Sequence, residues 1–318
     1  MVRVIGGADN AGSMAQSILS RLRPDQIAFE PFPHVHSQEA LEPAYYAELA
    51  GAYPSMQRIV GPGPLASHQV SGPLASNQAF RMPACEVVGN RAIPAIWRDF
   101  FAYHCSDAFL REAIGFWRAA IEREYPDIEA CFGRPLSELS AGVRCYQRGK
   151  PPENIPENMR ADVMLDCQFV INTPVTTPSA VRGPHVDKPY KLFAALLYFR
   201  HPDDRSVGGN LVLERVATQR CRFDRRQHIP EAFAEPIAEV PYAPNALITW
   251  LNTPRSLHSA SPRSISSVPR RYVNLLAECY AARPEGLFEL ERTFPGFVYW
   301  GVKRWIRRRA MRSTLSRT

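Results

Sequence analysis

No Cys-x-x-Cys pair occurs anywhere in the chain. Its seven cysteines stand apart at Cys85, Cys105, Cys131, Cys145, Cys167, Cys221 and Cys279. An odd, scattered set argues against a disulfide framework and for a reducing compartment. Apolar runs are short: none approaches the roughly 18 residues that a membrane-spanning helix needs. The opening stretch, Met1 to Pro24, mixes Gly, Asp, Asn and Arg without the apolar centre of a secretory signal. A cytoplasmic location is therefore expected. Internal repeats and low-complexity segments are missing as well. Acidic residues are lacking from Thr293 to Thr318, where Lys303, Arg304, Arg307, Arg308, Arg309, Arg312 and Arg317 supply seven positive charges, as many as the net +7 of the whole chain.

What is present is a substantial apolar content of 45%, enough for a large core and inconsistent with global disorder. A set of short apolar segments separated by turn signals fills the second half. Gly183-Pro184-His185-Val186-Asp187 precedes the strand-length run Leu192 to Phe199. After a polar turn, Gly208-Gly209 opens Asn210 to Glu214; Asn245 to Leu251, His258 and finally Arg270 to Ala277 follow. Such spacing reads as a sandwich or barrel of antiparallel strands. Within it, His185, Asp187 and His258 form a minimal ligand set for Fe(II), because two imidazoles and one carboxylate leave three coordination positions for substrates. Singly, each histidine is equally a loop residue satisfied by backbone; their order and strand context together favour a metal site. The other histidines (His34, His36, His68, His104, His201, His228) lack ligand spacing and read as surface or packing residues.

This block, roughly residues 140 to 280, resembles the core of the Fe(II)/2-oxoglutarate-dependent dioxygenases, and most of all their prolyl-hydroxylase branch. The resemblance implies a mainly β fold with flanking helices, a double-stranded β-helix of the jelly-roll or cupin kind with iron at one open end. His185 and Asp187 match the family's His-x-Asp pair, and His258 its distal histidine. Arg271 matches the basic residue that pairs with the C5 carboxylate of 2-oxoglutarate. Tyr198 matches a tyrosine that contacts the same carboxylate, although an apolar strand also carries tyrosine for packing alone. Gly208-Gly209 matches a Gly-Gly that opens the next strand. Twelve residues separate His258 from Arg271, more than the family's usual gap, and the loop Ser264 to Pro269 accounts for the excess. A second arginine, Arg270, competes for the role. Alternation along a strand puts Arg271 with Val273 and Leu275, and Arg270 with Tyr272 and Asn274. The more apolar set is expected to look into the barrel, which would place Arg271 inside and Arg270 outside.

Residues 1 to 292 read as one dioxygenase domain, with an α/β support over residues 25 to 140 packed on a barrel of about 140 to 280; residues 293 to 318 read as a basic C-terminal helix or tail. In the support, Ala28 to His36 carries prolines that suit only an edge strand, and Tyr45 to Ala50 reads as a helix stopped near Pro54. Residues 56 to 82 read as a long loop. Spacings of three and four among Ile96, Trp97, Phe100, Phe101, Phe109, Ile114, Trp117 and Ile121 predict one or two amphipathic helices. Probable strands at Val143 to Gln147 and Val163 to Asn172 flank a proline-rich break at Gly149 to Met159, which is expected to overhang the site.

The expected activity is hydroxylation of an unactivated C–H bond, with Fe(II), 2-oxoglutarate and O2 as cofactor and cosubstrates and release of succinate and CO2. Related halogenases replace the carboxylate ligand with a small residue; Asp187 is retained, which favours hydroxylation. The substrate is small, peptidyl or lipid-linked. A membrane-surface hydroxylase of a lipid-linked sugar such as the Kdo of lipopolysaccharide is the alternative, because Val298, Val302, Trp305 and Ile306 lie opposite a basic face in the tail and suit an anionic membrane. A non-catalytic binding barrel is a further alternative. The tail could equally dock on the barrel, and no nucleic-acid reading motif accompanies its charge.

Overall fold

The computed structural model describes residues 15–61, 73–144, 161–218, 221–279 and 286–291. The basic tail, the break at Gly149 to Met159, and His68 lie outside the described residues. In chain order the elements are β1 (His34–Ser37), α1 (Pro43–Gly51), α2 (Met56–Val60), β2 (Ala79–Met82), α3 (Ala84–Val87), α4 (Ala95–His104), α5 (Asp107–Glu124), α6 (Ile128–Phe132), β3 (Ala141–Val143), β4 (Val163–Asn172), β5 (Lys191–Tyr198), β6 (Leu211–Val216), β7 (Ala234–Val240), β8 (Leu247–Leu251), β9 (His258–Ala260) and β10 (Arg270–Glu278). None of the described helices is long and apolar enough to cross a membrane.

Two sheets face each other. The larger has the order β1-β8-β5-β10-β4-β2, with β3 pairing β4; the smaller has the order β7-β6-β9. A reciprocal backbone pair joins His185 to His258, His185 N to His258 O at 3.0 Å and the reverse at 2.9 Å, and so adds the segment before β5 beside β9. From β4 onward the chain thus passes back and forth between the sheets, staying in the smaller one only for the β6–β7 hairpin, with the order β8-β5-β10-β4 facing β7-β6-β9 and the His185 segment. That is the topology of a double-stranded β-helix, in agreement with the fold expected. Gly208 and Gly209 both hold positive φ (80° and 73°), and a Cβ on Gly208 would lie 1.9 Å from the Pro262 carbonyl oxygen. Only glycine allows this approach.

The extra residues between His258 and β10 have a definite use. Arg263, fully buried, donates to Asp204 Oδ2 at 2.8 Å and to the Val268 carbonyl at 2.7 Å, folding the loop onto the turn before β6.

The helices cover the outer face of the larger sheet. Phe169, Ile171, Phe193, Val273 and Leu275 from the sheet share one core with Trp97, Phe100, Phe101, Phe109 and Trp117 from α4 and α5. Trp97 sits at its centre, with ring centroids 4.6 Å from Phe169, 5.1 Å from Phe199 and 5.7 Å from Tyr53, all edge-to-face. Each such pair adds about 0.5–1.5 kcal/mol beyond burial. The Trp97 indole donates to the Leu49 carbonyl at 3.0 Å, which ties α1 to this core. α5 is capped by Ser106, whose hydroxyl accepts from Phe109 N. β1 is an edge strand, as the prolines around it require. The stretch expected to be one loop, residues 56 to 82, instead contains α2 and β2; with only five and four residues, both are too short for periodicity to show.

Candidate metal centre and cavity

The register across the larger sheet fixes which side chains look inward. Asn172 pairs with Arg270, Val170 with Tyr272, Gln168 with Asn274 and Asp166 with Leu276; on the other side Tyr272 pairs with Tyr198 and Asn274 with Leu196. Residues paired across neighbouring strands share a face. These rows form the wall of a cavity of about 610 Å³, lined by Arg270, Tyr272, Asn274, Leu276 and Glu278 from β10 and by His185, Asp187 and His258 opposite.

The three predicted ligands come together. His185, Asp187 and His258 are 3%, 5% and 4% exposed, and each offers a ligand atom within 4.8 Å of the others. The reciprocal backbone pair sets the two histidines directly opposite, with ring centroids 4.2 Å apart. His185 Nδ1 lies 2.9 Å from the Gly183 carbonyl and His258 Nδ1 2.9 Å from the Ser256 carbonyl. A carbonyl only accepts, so each Nδ1 carries the proton and each Nε2 keeps its lone pair for a metal. The Trp250 ring packs 4.8 Å from His258 and holds its plane.

The electrostatics suit a cation. Burial lowers the pKa of both imidazoles, that of His258 to about 4, so they are neutral at physiological pH. Burial by itself would raise the Asp187 carboxyl, but the cations beside it, Lys191 first and then Arg182, outweigh it and hold Asp187 below the usual carboxylate range. Lys191 Nζ is 3.0 Å from Asp187 Oδ1 and Arg182 Nη1 is 3.9 Å from the same oxygen. Both cations gather on Oδ1, which leaves Oδ2 the better placed ligand atom. Two neutral imidazoles with free Nε2 and one ionised carboxylate fit a divalent first-row metal.

The two arginines are reversed from expectation. Arg270 lines the cavity and is 3% exposed, with its guanidinium carbon 4.5 Å from the Tyr272 ring, 5.0 Å from Tyr242 and 5.1 Å from Tyr198. Arg271 lies on the helix-covered face, where its Nε donates to the Phe199 carbonyl at 3.1 Å and its guanidinium sits over the Tyr53 ring. The apolar set Val273, Leu275 and Ala277 does face a core, but that core lies between sheet and helices, outside the barrel. Tyr198 is on the cavity side beside Arg270. Its hydroxyl is fully buried with no hydrogen-bond partner, and Arg270 Nε is likewise unpartnered. Burial pushes the Tyr198 hydroxyl up to about 12, so it is a donor at neutral pH. Such orphaned donors are costly without an acceptor.

Sequence reasoning missed Lys191, Asn274 and Glu278 in the cavity wall. The signal was available: alternate positions of β10 read Arg, Tyr, Asn, Leu, Glu, a largely polar stripe on a central strand, which is tolerable only where it faces a cavity.

No family model matches the chain, and no curated protein matches it. Solved structures give partial likenesses of shape. A prolyl-4-hydroxylase from Pseudomonas putida is 12% identical, with 77% of this chain and 92% of that one covered and a TM-score of 0.36. A prolyl 4-hydroxylase from Phytophthora capsici is 11% identical over 78% of this chain, which spans only 59% of that one, at a TM-score of 0.40. A putative oxygenase from Shewanella oneidensis is 11% identical over 90% and 91% of the two chains, at a TM-score of 0.43.

Proposed function

We propose that this chain is an Fe(II)- and 2-oxoglutarate-dependent oxygenase that hydroxylates a C–H bond of its substrate. One observation carries the reading: two histidines with free Nε2 and an ionised aspartate converge in a cavity whose wall also carries the buried Arg270, with the Tyr198 ring beside its guanidinium. A metal centre and a carboxylate receptor in one cavity suit a chelating keto acid. Fe(II) with bound 2-oxoglutarate supplies O2 activation coupled to decarboxylation of the keto acid to succinate.

The chain's own residues do the rest. His185 and His258 donate through Nε2 while their backbone-bonded Nδ1 atoms fix the ring planes. Asp187 stays ionised and is steadied through Oδ1 by Lys191. Arg270 is the residue for the distal carboxylate of 2-oxoglutarate, since a guanidinium binds a carboxylate through a bidentate fork; Tyr198 donates a further hydrogen bond. The tyrosine cage around Arg270 keeps that fork in place before the acid arrives. Leu196, Leu211, Leu276 and Trp250 belong to the apolar part of the lining and limit water at the reacting centre.

The test is direct. Anaerobic Mn(II) titration followed by electron paramagnetic resonance should give one bound ion per chain, with a spectrum changed by 2-oxoglutarate. Purified protein with Fe(II) should then release succinate. Failure to bind Mn(II), or a Mn(II) spectrum indifferent to 2-oxoglutarate, would overturn the reading.

A further inference from the structure

Among the described residues, the charges around the cavity do not balance. Six basic side chains line it against three carboxylates. Two of the basic groups are answered locally: Arg144 Nε meets Glu278 Oε2 at 2.6 Å, and Lys191 meets Asp187 at 3.0 Å. Arg270 is assigned to the cosubstrate. A divalent ion and a doubly ionised keto acid cancel each other, so a loaded site keeps its positive excess. Low-dielectric walls focus that field.

Part of the excess sits at two defined positions. Arg81 lies on β2, whose alternation sends Phe80 and Met82 into the helix-covered core and Arg81 toward the barrel, in register with Val170 and through it with Tyr272. Arg182 lies three residues before His185, and its carbonyl accepts from Ala260 N at 3.0 Å, which pins its backbone to β9. Arg182 approaches Asp187 only to 3.9 Å, so its fork is not spent there. Both arginines are exposed and both line the cavity. The segments that carry them are tied together just upstream, where Asn77 Nδ2 donates to the Ser179 carbonyl at 2.9 Å. Two exposed guanidiniums from different segments that line one cavity suit an anion placed between them.

We propose that Arg81 and Arg182 form an anion subsite for the substrate, which therefore carries a carboxylate or phosphate group. The inference rests on the oxygenase reading for the identity of the occupant but not for the existence of the site. A guanidinium pair suits either anion, since both accept two parallel N–H bonds. The charged group would be gripped at the mouth, leaving the remainder of the substrate to reach past Tyr272 and Ala260 toward the metal.

The experiment uses full-length protein loaded with Mn(II) and 2-oxoglutarate, and inorganic phosphate or ¹³C-acetate as the anion. Paramagnetic broadening of the ³¹P or ¹³C line reports only anions near the metal. Arg81→Gln and Arg182→Gln should each reduce the broadening about tenfold, the worth of one charge-assisted contact. Arg118→Gln, on the outer surface of α5, should leave it unchanged, and circular dichroism checks that each variant folds. Broadening of phosphate alone assigns a phosphate substrate and of acetate alone a carboxylate; either supports the subsite. Undiminished broadening in both variants, or none in the wild type, would overturn it. If the wild type fails to take up Mn(II), the triad reading falls by itself. The anion site is then decided by calorimetric phosphate titration of metal-free wild type against the two variants, equal affinities overturning it.

Discussion

The two faces of the larger sheet are built from the same strands and obey opposite rules. On the outer face Phe169, Ile171, Val273 and Leu275 meet the aromatic side chains of α4 and α5 and bury no charge of their own. On the inner face the same two strands carry Asp166, Gln168, Asn172, Arg270, Asn274 and Glu278, and all but Asn172 line the cavity or bond to a group that does. One face is a core that stabilises the fold; the other is a polar wall that the core makes possible. Helices, not the opposite sheet, supply most of the apolar burial. The inside of this barrel is therefore free to hold titratable groups, and burial there perturbs them: Glu278 is pushed up to about 7 by burial despite Arg144 beside it.

The comparison is broken most severely on the inner face. His185→Ala, Asp187→Ala and His258→Ala should each reduce succinate release below detection and abolish stoichiometric Mn(II) binding, while far-ultraviolet circular dichroism stays native. Retained metal binding in any of them would remove that residue from the ligand set. On the outer face the effect is on stability. Trp97→Ala should cost about 3–5 kcal/mol, read as a lowered urea midpoint, and an unchanged midpoint would mean that α4 is not part of the core.

Arg270 and Arg271 sharpen the comparison, being neighbours on opposite faces. Arg270→Ala should raise the KM for 2-oxoglutarate roughly 30-fold or more, since losing one partner of a buried charged contact costs about 2–5 kcal/mol. Arg271→Ala should leave that KM within about threefold and instead lower the melting temperature, because its contacts are the Phe199 carbonyl and the Tyr53 ring. The reverse ranking would restore the opposite strand phase. Tyr198→Phe removes one hydrogen bond of about 1 kcal/mol and should raise the same KM only several-fold; no change would make Tyr198 a packing residue.

The smallest effect is on pH dependence. Burial lowers the pKa of His258 to about 4, whereas an unfolded histidine titrates near 6.5. Below that value the unfolded chain takes up a proton that the folded site refuses, so the part of metal-free stability that His258→Gln removes should fall as pH drops from about 6.5 toward 4. Mn(II) affinity should stay level down to about pH 5. A decline in affinity already centred near 6.5 would show that the site is wetter than its burial implies.

The sequence alone named the helix layer and the three residues that converge in the cavity, though not the order of the strands within the sheets. His185, Asp187 and His258 needed only their order and the strands around them, and the spacing of Trp97, Phe100, Phe101 and Trp117 needed only the helical period. Alternation also split β10 correctly into two faces. It could not say which face was inside, because period two separates the faces without naming them; that depends on what packs against each. Here α4 and α5, far off in sequence, claimed the apolar side and left Arg270 to the cavity. The same holds for Arg81 and Arg182. Nothing in their local sequence pairs them, and only the register of β2 on β4 and the bond from β9 to Arg182 bring the two charges to one cavity.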